Sequence, residues 1–240
     1  MEGKKILIEG SKKLGLTLDE KQIEAFMRYK ALLVEWNQKM NLTAITDEVD
    51  IMTKHFLDCM SIQKAFPMEK VKTLIDVGTG AGFPGLVIKI AFPWIKVTLV
   101  DSLNKRLNFL KEVIQELGLE GVECVHARAE DLGKNKVYRE QFDVCASRAV
   151  ANLAVLSEYT LPFVKEGGYL IALKGQKIEQ EATEAQKAII LLGGEFVEII
   201  DAQVPMTDLE HKIAKIKKIK KTPKAYPRKA GEPTKAPLGK

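Results

Sequence analysis

Hydrophobic and polar positions change rhythm once along this chain, near residue 70. Before that point apolar residues recur at helical spacing. Ile23, Phe26, Met27, Leu33, Val34 and Trp36 share one face of a helix that starts at Thr17-Leu-Asp-Glu20 and runs to about Met40. Thr17 is the expected N-cap and Glu20 the capping-box acid. Asn41-Leu-Thr43 breaks this helix, a second runs from about Val49 to Phe66, and Pro67 ends it. A short leader precedes both. From Val71 onward, strand-like runs alternate with helical stripes. The predicted strands are Val71–Val77, Lys96–Asp101, Val122–His126, Phe142–Ser147 and Tyr169–Lys174. The predicted helices are Pro84–Ala91, Leu103–Leu117, Asn152–Val164 and Ile178–Leu192. Such alternation argues for an α/β fold with a doubly wound parallel sheet. Beyond Gly193-Gly194, strands Glu195–Asp201 and His211–Ile219 have no helix between them, so they pair as a hairpin and bring an antiparallel strand into the sheet. From Lys221, four prolines and many lysines leave little to bury, which predicts an extended tail. The chain thus divides into an N-terminal helical cap (1–67), an α/β domain (68–220) and a basic Pro/Lys-rich tail (221–240).

The first strand of the α/β part feeds Asp76-Val-Gly-Thr-Gly-Ala-Gly-Phe-Pro-Gly85. Its glycines let the backbone turn tightly and approach a ligand closely, and Pro84 suits a helix start. A strand, a Gly-rich turn and a helix start together hold nucleotide-like ligands in α/β proteins. Gly80-Ala-Gly82-Phe-Pro-Gly85 also fits G-x-G-x-x-G, so a dinucleotide competes with S-adenosylmethionine for this loop. Asp76 favours the second cofactor: a carboxylate there repels a pyrophosphate and suits an amino group and a sulfonium. The pattern acidic-x-Gly-x-Gly-x-Gly resembles the first motif of S-adenosylmethionine-dependent methyltransferases, and Gly78 and Gly80 are the predicted contacts. Asp101 ends the second strand about 20 residues past the helix start, where a carboxylate accepts both ribose hydroxyls of a nucleoside. It supports an adenosine ligand without choosing one, and it could equally cap the next helix. Arg128-Ala-Glu130 follows the third strand, where an adenine ring would be met; Glu130 could instead be a first-turn helix acid. Ser147-Arg148 ends the fourth strand at the carboxyl edge of the sheet, where ligands bind.

Composition narrows the partners. Hydrophobic residues make up 46% and charged residues 29% of 240, as in an ordinary globular protein with a real core. No signal-peptide core or bilayer-length apolar stretch is visible, so a cytoplasmic protein without a membrane partner is expected. Cys59, Cys124 and Cys145 are widely spaced and the three histidines have no ligand spacing, which predicts free thiols and no metal site. The charge is unevenly spread. From His211 onward ten lysines and one arginine face only Glu232, a net +10 within a total of +5, so the preceding 210 residues sum to −5. A basic end on an acidic body suits a polyanion.

Several strings then coincide. Trp36-Asn-Gln-Lys-Met-Asn-Leu-Thr43, His55-Phe-Leu-Asp58, the loop Asp76–Gly85, Asp101-Ser-Leu-Asn-Lys-Arg106, Arg128-Ala-Glu130, Ser147-Arg-Ala149, Ala172-Leu-Lys-Gly175 and Tyr226-Pro-Arg-Lys-Ala-Gly-Glu-Pro233 occur in this order. Over nearly its whole length the chain resembles the ribosomal RNA small subunit methyltransferase G family, also called glucose-inhibited division protein B. The resemblance implies a class I S-adenosylmethionine-dependent methyltransferase (Rossmann-like) sheet and methyl transfer to N7 of guanine 527 of 16S rRNA, in the 30S subunit. It also implies cofactor contacts at Gly78, Phe83, Asp101, Ser102, Leu103, Ala129, Glu130 and Arg148. Cys59 stands where the family pattern has serine. Guanine N7 carries no proton, so no general base, and no catalytic residue, is assigned. With N7 facing the donor, an arginine cannot grip O6 and N7 together; a single donor to O6 is expected from Arg148 or Lys174. In the tail, Tyr226 is expected to stack on an unpaired base, and Arg228 with the neighbouring lysines to meet phosphates. The alternative is that Tyr226 and Pro227 fold back and brace the helical cap. An NAD-type oxidoreductase and a non-catalytic RNA-binding protein are the rival function classes.

Overall fold

The central strands read as nearly continuous apolar runs because both faces of their sheet are covered. The computed structural model describes residues 2–148 and 150–239. Its strands are β1 (Thr73–Val77), β2 (Lys96–Asp101), β3 (Val122–His126), β4 (Phe142–Arg148), β5 (Val164–Lys174), β6 (Gly194–Gln203) and β7 (Glu210–Lys218). They form one sheet in the order β3-β2-β1-β4-β5-β7-β6. The first five run parallel, and β7 lies antiparallel between β5 and β6, as the missing helix before it predicts. Chain order reverses between β1 and β4, which opens a crevice at the carboxyl ends of these strands.

The helices are α1 (Glu2–Lys13), α2 (Glu20–Asn37), α3 (Glu48–Asp50), α4 (Asp58–Met60), α5 (Gly85–Ala91), α6 (Asn104–Glu116), α7 (Ala129–Leu132), α8 (Leu153–Thr160), α9 (Ile178–Leu191) and α10 (Glu232–Lys235). A π-helical stretch, Ile51–Leu57, joins α3 to α4, and a 3-10 turn, Ser61–Lys64, follows. One hydrophobic core joins the amino-terminal helices to the sheet: Leu7, Phe26, Tyr29 and Phe56 pack with Leu74, Leu86 and Leu99. A second core on the other face holds α8 and α9.

Four expectations change. The leader is helix α1. Asp19 rather than Thr17 caps α2, because its carboxylate accepts from Gln22 N at 2.8 Å while the Gln22 side chain accepts from Asp19 N. Gln22 Nε2 also reaches Ile90 O and Ala91 O, the last carbonyls of α5, and so ties cap to sheet. Helix α8 stops at Thr160, where Pro162 disfavours further helical turns, and β5 begins at Val164. Lys165-Glu-Gly-Gly168 hid that start by reading as loop.

The tail departs most. It is docked, not extended. Lys218 is fully buried and donates to Leu161 O and Thr222 Oγ1, both at 2.6 Å. The Arg139 guanidinium donates to the carbonyls of Thr222, Pro223 and Tyr226 at 2.7–3.3 Å. Arg228 binds Glu158 of α8 through Nε and Nη2, and Gly231 N donates to Glu130 at 3.0 Å. The composition is basic, but the surface beneath supplies the carboxylates. Tyr226 and Pro227 do fold back, though onto α7 and the second core rather than onto the cap.

Tyr29 couples cap and glycine loop. Its buried hydroxyl donates to Ala81 O, and a Cβ on Gly82, where φ is +96°, would lie 2.4 Å from the Tyr29 hydroxyl oxygen. Tyr29→Phe should therefore lower unfolding stability by about 1 kcal/mol, the net contribution of one hydrogen bond. Gly82→Ala should cost more, about 1–3 kcal/mol from the strained backbone alone. Paired denaturant titrations read both, and equal stability of the two variants would contradict the close approach.

Candidate active site

The carboxyl ends of β1 and β2 meet in one hydrogen-bonded turn. Gly78 N and Thr79 N donate to Val100 O, and Gly80 N donates to Asp101 Oδ2 at 3.0 Å. Asp101 is almost fully buried, and its Oδ1 accepts Leu103 N at 2.9 Å. Arg106 Nη1 also reaches Oδ2 at 3.4 Å, so of a carboxylate's roughly four lone-pair directions Asp101 keeps about one for a ligand. Gly80 has φ +59°, and a Cβ there would meet nothing within 4 Å. The loop backbone thus borders open space.

That space is a cavity of about 500 Å³, lined by Gly78, Gly80, Phe83, Asp101 and Ser102 on one side and by Ala129, Glu130 and Arg148 on the other. Eight of the nine expected cofactor residues therefore converge. Leu103 is the exception: its side chain is 52% exposed and does not line the cavity. Asp76 also departs from its expected role. It is fully buried, and its Oδ2 accepts from Thr79 Oγ1 at 2.7 Å and from Gly85 N at 2.8 Å, so it braces the loop from within. Its Oδ1 has no hydrogen-bond partner among the described residues, and burial pushes the carboxyl up to about 6.

Arg148 closes one end of this cavity and also lines a second hollow of about 650 Å³. Its Nη1 donates to Lys54 O at 3.0 Å and to Asp58 Oδ2 at 2.9 Å, and its guanidinium lies 4.9 Å from the centre of the Phe83 ring. Nη2 lies 3.1 Å from His55 Nδ1. A guanidinium only donates, so His55 accepts at Nδ1 and carries its proton at Nε2, facing Thr43 Oγ1 at 2.8 Å. His55 stacks on Phe83 with ring centres 4.4 Å apart. Burial and the Arg148 charge lower His55 to about 4, so it is neutral at pH 7. Asp58 is fully buried and holds His211 Nδ1 at 2.6 Å through its other oxygen, which raises the His211 pKa. The π-helical stretch carries His55 and ends one residue before Asp58, which starts α4.

Lys174 lines the second hollow, donating to Ala151 O at 2.5 Å and pairing with Glu181 at 2.7 Å. Tyr226 and Arg228 line neither space. Ala149 lies outside the described residues. Sequence reasoning assigned no role to His55, Asp58, His211, Arg106 or Tyr159. The first two stand in the string His55-Phe-Leu-Asp58, and Arg106, 3.4 Å from Asp101, ends the string Asp101-Ser-Leu-Asn-Lys-Arg106. Nothing local marks His211 or Tyr159. Cys59 is buried in the core, where burial raises its thiol, and Cys124 and Cys145 are likewise free.

Comparison with known proteins points to one family. The profile of the family described as GidB, rRNA small subunit methyltransferase G, matches residues 22–208. A ribosomal RNA small subunit methyltransferase G from Alkaliphilus metalliredigens is 52% identical over 99% of this chain and 100% of that one. Its counterpart from Alkaliphilus oremlandii is 54% identical with the same coverage, and one from Clostridium botulinum (strain Loch Maree) 51%. Among solved structures, M. jannaschii TYW2 in complex with AdoMet matches with a TM-score of 0.51 at 18% identity, over 66% of this chain and 74% of that one. MtNAS in complex with MTA and tNA reaches 0.54 at 13% identity, over 82% and 71%. These two distant likenesses show the fold alone.

The two histidines give the stability curve two limbs. The folded pKa of His55 lies near 4, below the ordinary 6.5, so the unfolded chain binds the extra proton between those values. Its contribution is present above pH 6.5 and is lost as pH falls toward 4. His211 is raised, so its contribution is present below 6.5 and is lost as pH rises through its folded value. His55→Gln should gain on the wild type by up to about 3 kcal/mol as pH falls from 6.5 to 4. For His211→Gln the wild-type advantage should shrink above 6.5. Urea titrations across pH read both limbs, and parallel curves for either variant would contradict its assignment.

Proposed function

Since the chain belongs to the ribosomal RNA small subunit methyltransferase G family, we infer that it transfers a methyl group from S-adenosylmethionine to N7 of guanine 527 of 16S rRNA. The observation that carries the site reading is Arg148 standing in the wall between the two hollows. We assign the glycine-loop cavity to the cofactor and the hollow beside Lys174 to the target base. An rRNA substrate, as the 30S subunit or its RNA, suits a cytoplasmic protein. No helix among the described residues is long and apolar enough to cross a membrane.

The residues of the first cavity fit the cofactor's parts. Asp101 has acceptor capacity left for a ribose hydroxyl, Ala129 and Glu130 border the adenine side, and the loop at Gly80, where a Cβ would meet nothing within 4 Å, leaves room for the tail of the molecule. When bound, S-adenosylmethionine supplies an electrophilic methyl group on a sulfonium. Guanine N7 offers an in-plane lone pair and no proton, so no residue here needs to act as a base. Among the lining residues His55 is neutral but already hydrogen-bonded at both nitrogens. Rate enhancement then rests on orientation of the base, an effect that reaches about 7–11 kcal/mol when geometry is fixed. Lys174 has three N–H groups and uses two, on Ala151 and Glu181, which leaves one for guanine O6. Arg148 retains N–H groups beyond its bonds to Lys54, Asp58 and His55 and is the second candidate. In the tail, Lys220, Lys221, Lys224 and Lys229 are exposed and suit phosphate contacts.

Methyl incorporation at guanine 527, compared between free 16S rRNA and the 30S subunit, tests the function and identifies the substrate form. No transfer to either would reject it. Gly80→Val should abolish cofactor binding with the fold retained, because the added side chain enters the cavity. Asp101→Ala should weaken binding by about 1.5–3 kcal/mol, the scale of hydrogen bonds to a charged group. Calorimetry with S-adenosylhomocysteine reads both, and unchanged affinity in the Gly80 variant would move the cofactor elsewhere.

A further inference from the structure

Two residues of the cofactor cavity are held by the tail. Glu130 is 5% exposed and lines the cavity, and its Oε1 accepts from Gly231 N at 3.0 Å. Its Oε2 makes no hydrogen bond with any described residue. Tyr159, on the cavity wall, shares a hydrogen bond of 2.9 Å with Thr234 Oγ1. Between these contacts lies the anchor. The Arg228 guanidinium makes three bonds to the two oxygens of Glu158, whose side chain is 1% exposed, and its backbone N adds a fourth, to Oε1 at 2.8 Å. Arg139 fixes the approach by binding the carbonyls of Thr222, Pro223 and Tyr226.

We propose that residues 228–234 form a clasp that positions the adenine side of the cofactor site, and that clasp docking and cofactor binding reinforce each other. This rests on the assignment of the first cavity to S-adenosylmethionine. Gly231 has φ +83°, which presents its N–H to Glu130 through a turn that other residues rarely adopt. By occupying Oε1 the clasp leaves Oε2 as the oxygen free to accept from an exocyclic amino group. Glu158 directly precedes Tyr159 on α8, so the Arg228 pair also fixes the turn from which Tyr159 reaches the cavity. None of these residues touches a reacting atom. They act through Glu130 and Tyr159, and their effect belongs in cofactor affinity.

The coupling is reciprocal by thermodynamic necessity. In the full chain, Arg228→Ala should weaken S-adenosylhomocysteine binding by about tenfold, within the usual range of coupling between sites. In turnover the loss should fall on the cofactor KM rather than on kcat. Saturating S-adenosylhomocysteine should in turn slow tryptic cleavage after Lys224 and Lys229 in the wild type. Arg228→Ala leaves Glu158 buried without its partner, so Gly231→Ala provides a second reading. A Cβ there meets nothing within 4 Å, so this variant strains only the turn that presents the N–H. It should weaken cofactor binding while Lys235→Ala, exposed and beyond the clasp, should not. Wild-type binding is measured first: its absence would reject the cavity assignment itself. With wild-type binding intact, unchanged affinity in Gly231→Ala together with cofactor-independent tail cleavage would overturn the clasp. Loss of RNA affinity alone in Arg228→Ala would overturn it too, in favour of a tail that serves only the RNA.

Discussion

The Arg148 guanidinium cannot shed its charge, and it lies between the amino-terminal helices and the sheet. Much of the site follows from satisfying it. Asp58 supplies the compensating carboxylate and is itself fully buried, so the pair holds only while both partners remain. Lys54 O takes one N–H, and the neutral face of His55 takes another. Phe83 offers its ring to the same charge and stacks on His55. His211 then completes Asp58 from the far strand β7. One cation thus aligns the cap, the glycine loop, β4 and β7 around the boundary between two hollows.

Three aspartates divide the work that the sequence appeared to give to two. Asp76 looked like the carboxylate that greets a cationic cofactor, but it is sealed under the loop and orders Thr79 and Gly85. Its unpartnered Oδ1 and upward-shifted pKa are the signature of a group held inside for geometry. Asp101 faces the cavity and also ties the glycine loop to the following helix. Asp58, which sequence reasoning left without a role, holds Arg148.

What was legible follows from local physics. Strand runs, helical stripes and the helix-free step between β6 and β7 predicted the sheet and its antiparallel member. The ends of β1, β2 and β4 then placed Gly80, Asp101 and Arg148 at one edge. What stayed hidden depends on partners far apart in the chain. Asp58 and His211 are separated by 153 positions, and Tyr29 meets Ala81 across 52. Thr17 satisfied the capping pattern, yet Asp19 and Gln22 form the box, because Gln22 also reaches the end of α5. The tail misled for a similar reason. Prolines and lysines read as solvated chain, whereas Glu158 and Glu130, buried elsewhere, hold it down.

The tail contacts also set an order of events during synthesis. Gly231 follows its partner Glu130 by 101 positions, and Arg228 follows Glu158 by 70. Synthesis runs at about 5–20 residues per second, so the last strand, which ends at Lys218, precedes Arg228 by about 0.5–2 s, while the glycine loop precedes it by far longer. A nascent chain then carries the cavity with one wall unfinished. The pocket is finished only when the clasp residues have been made, and a chain that stops short of residue 228 has a Glu130 without the Gly231 N–H.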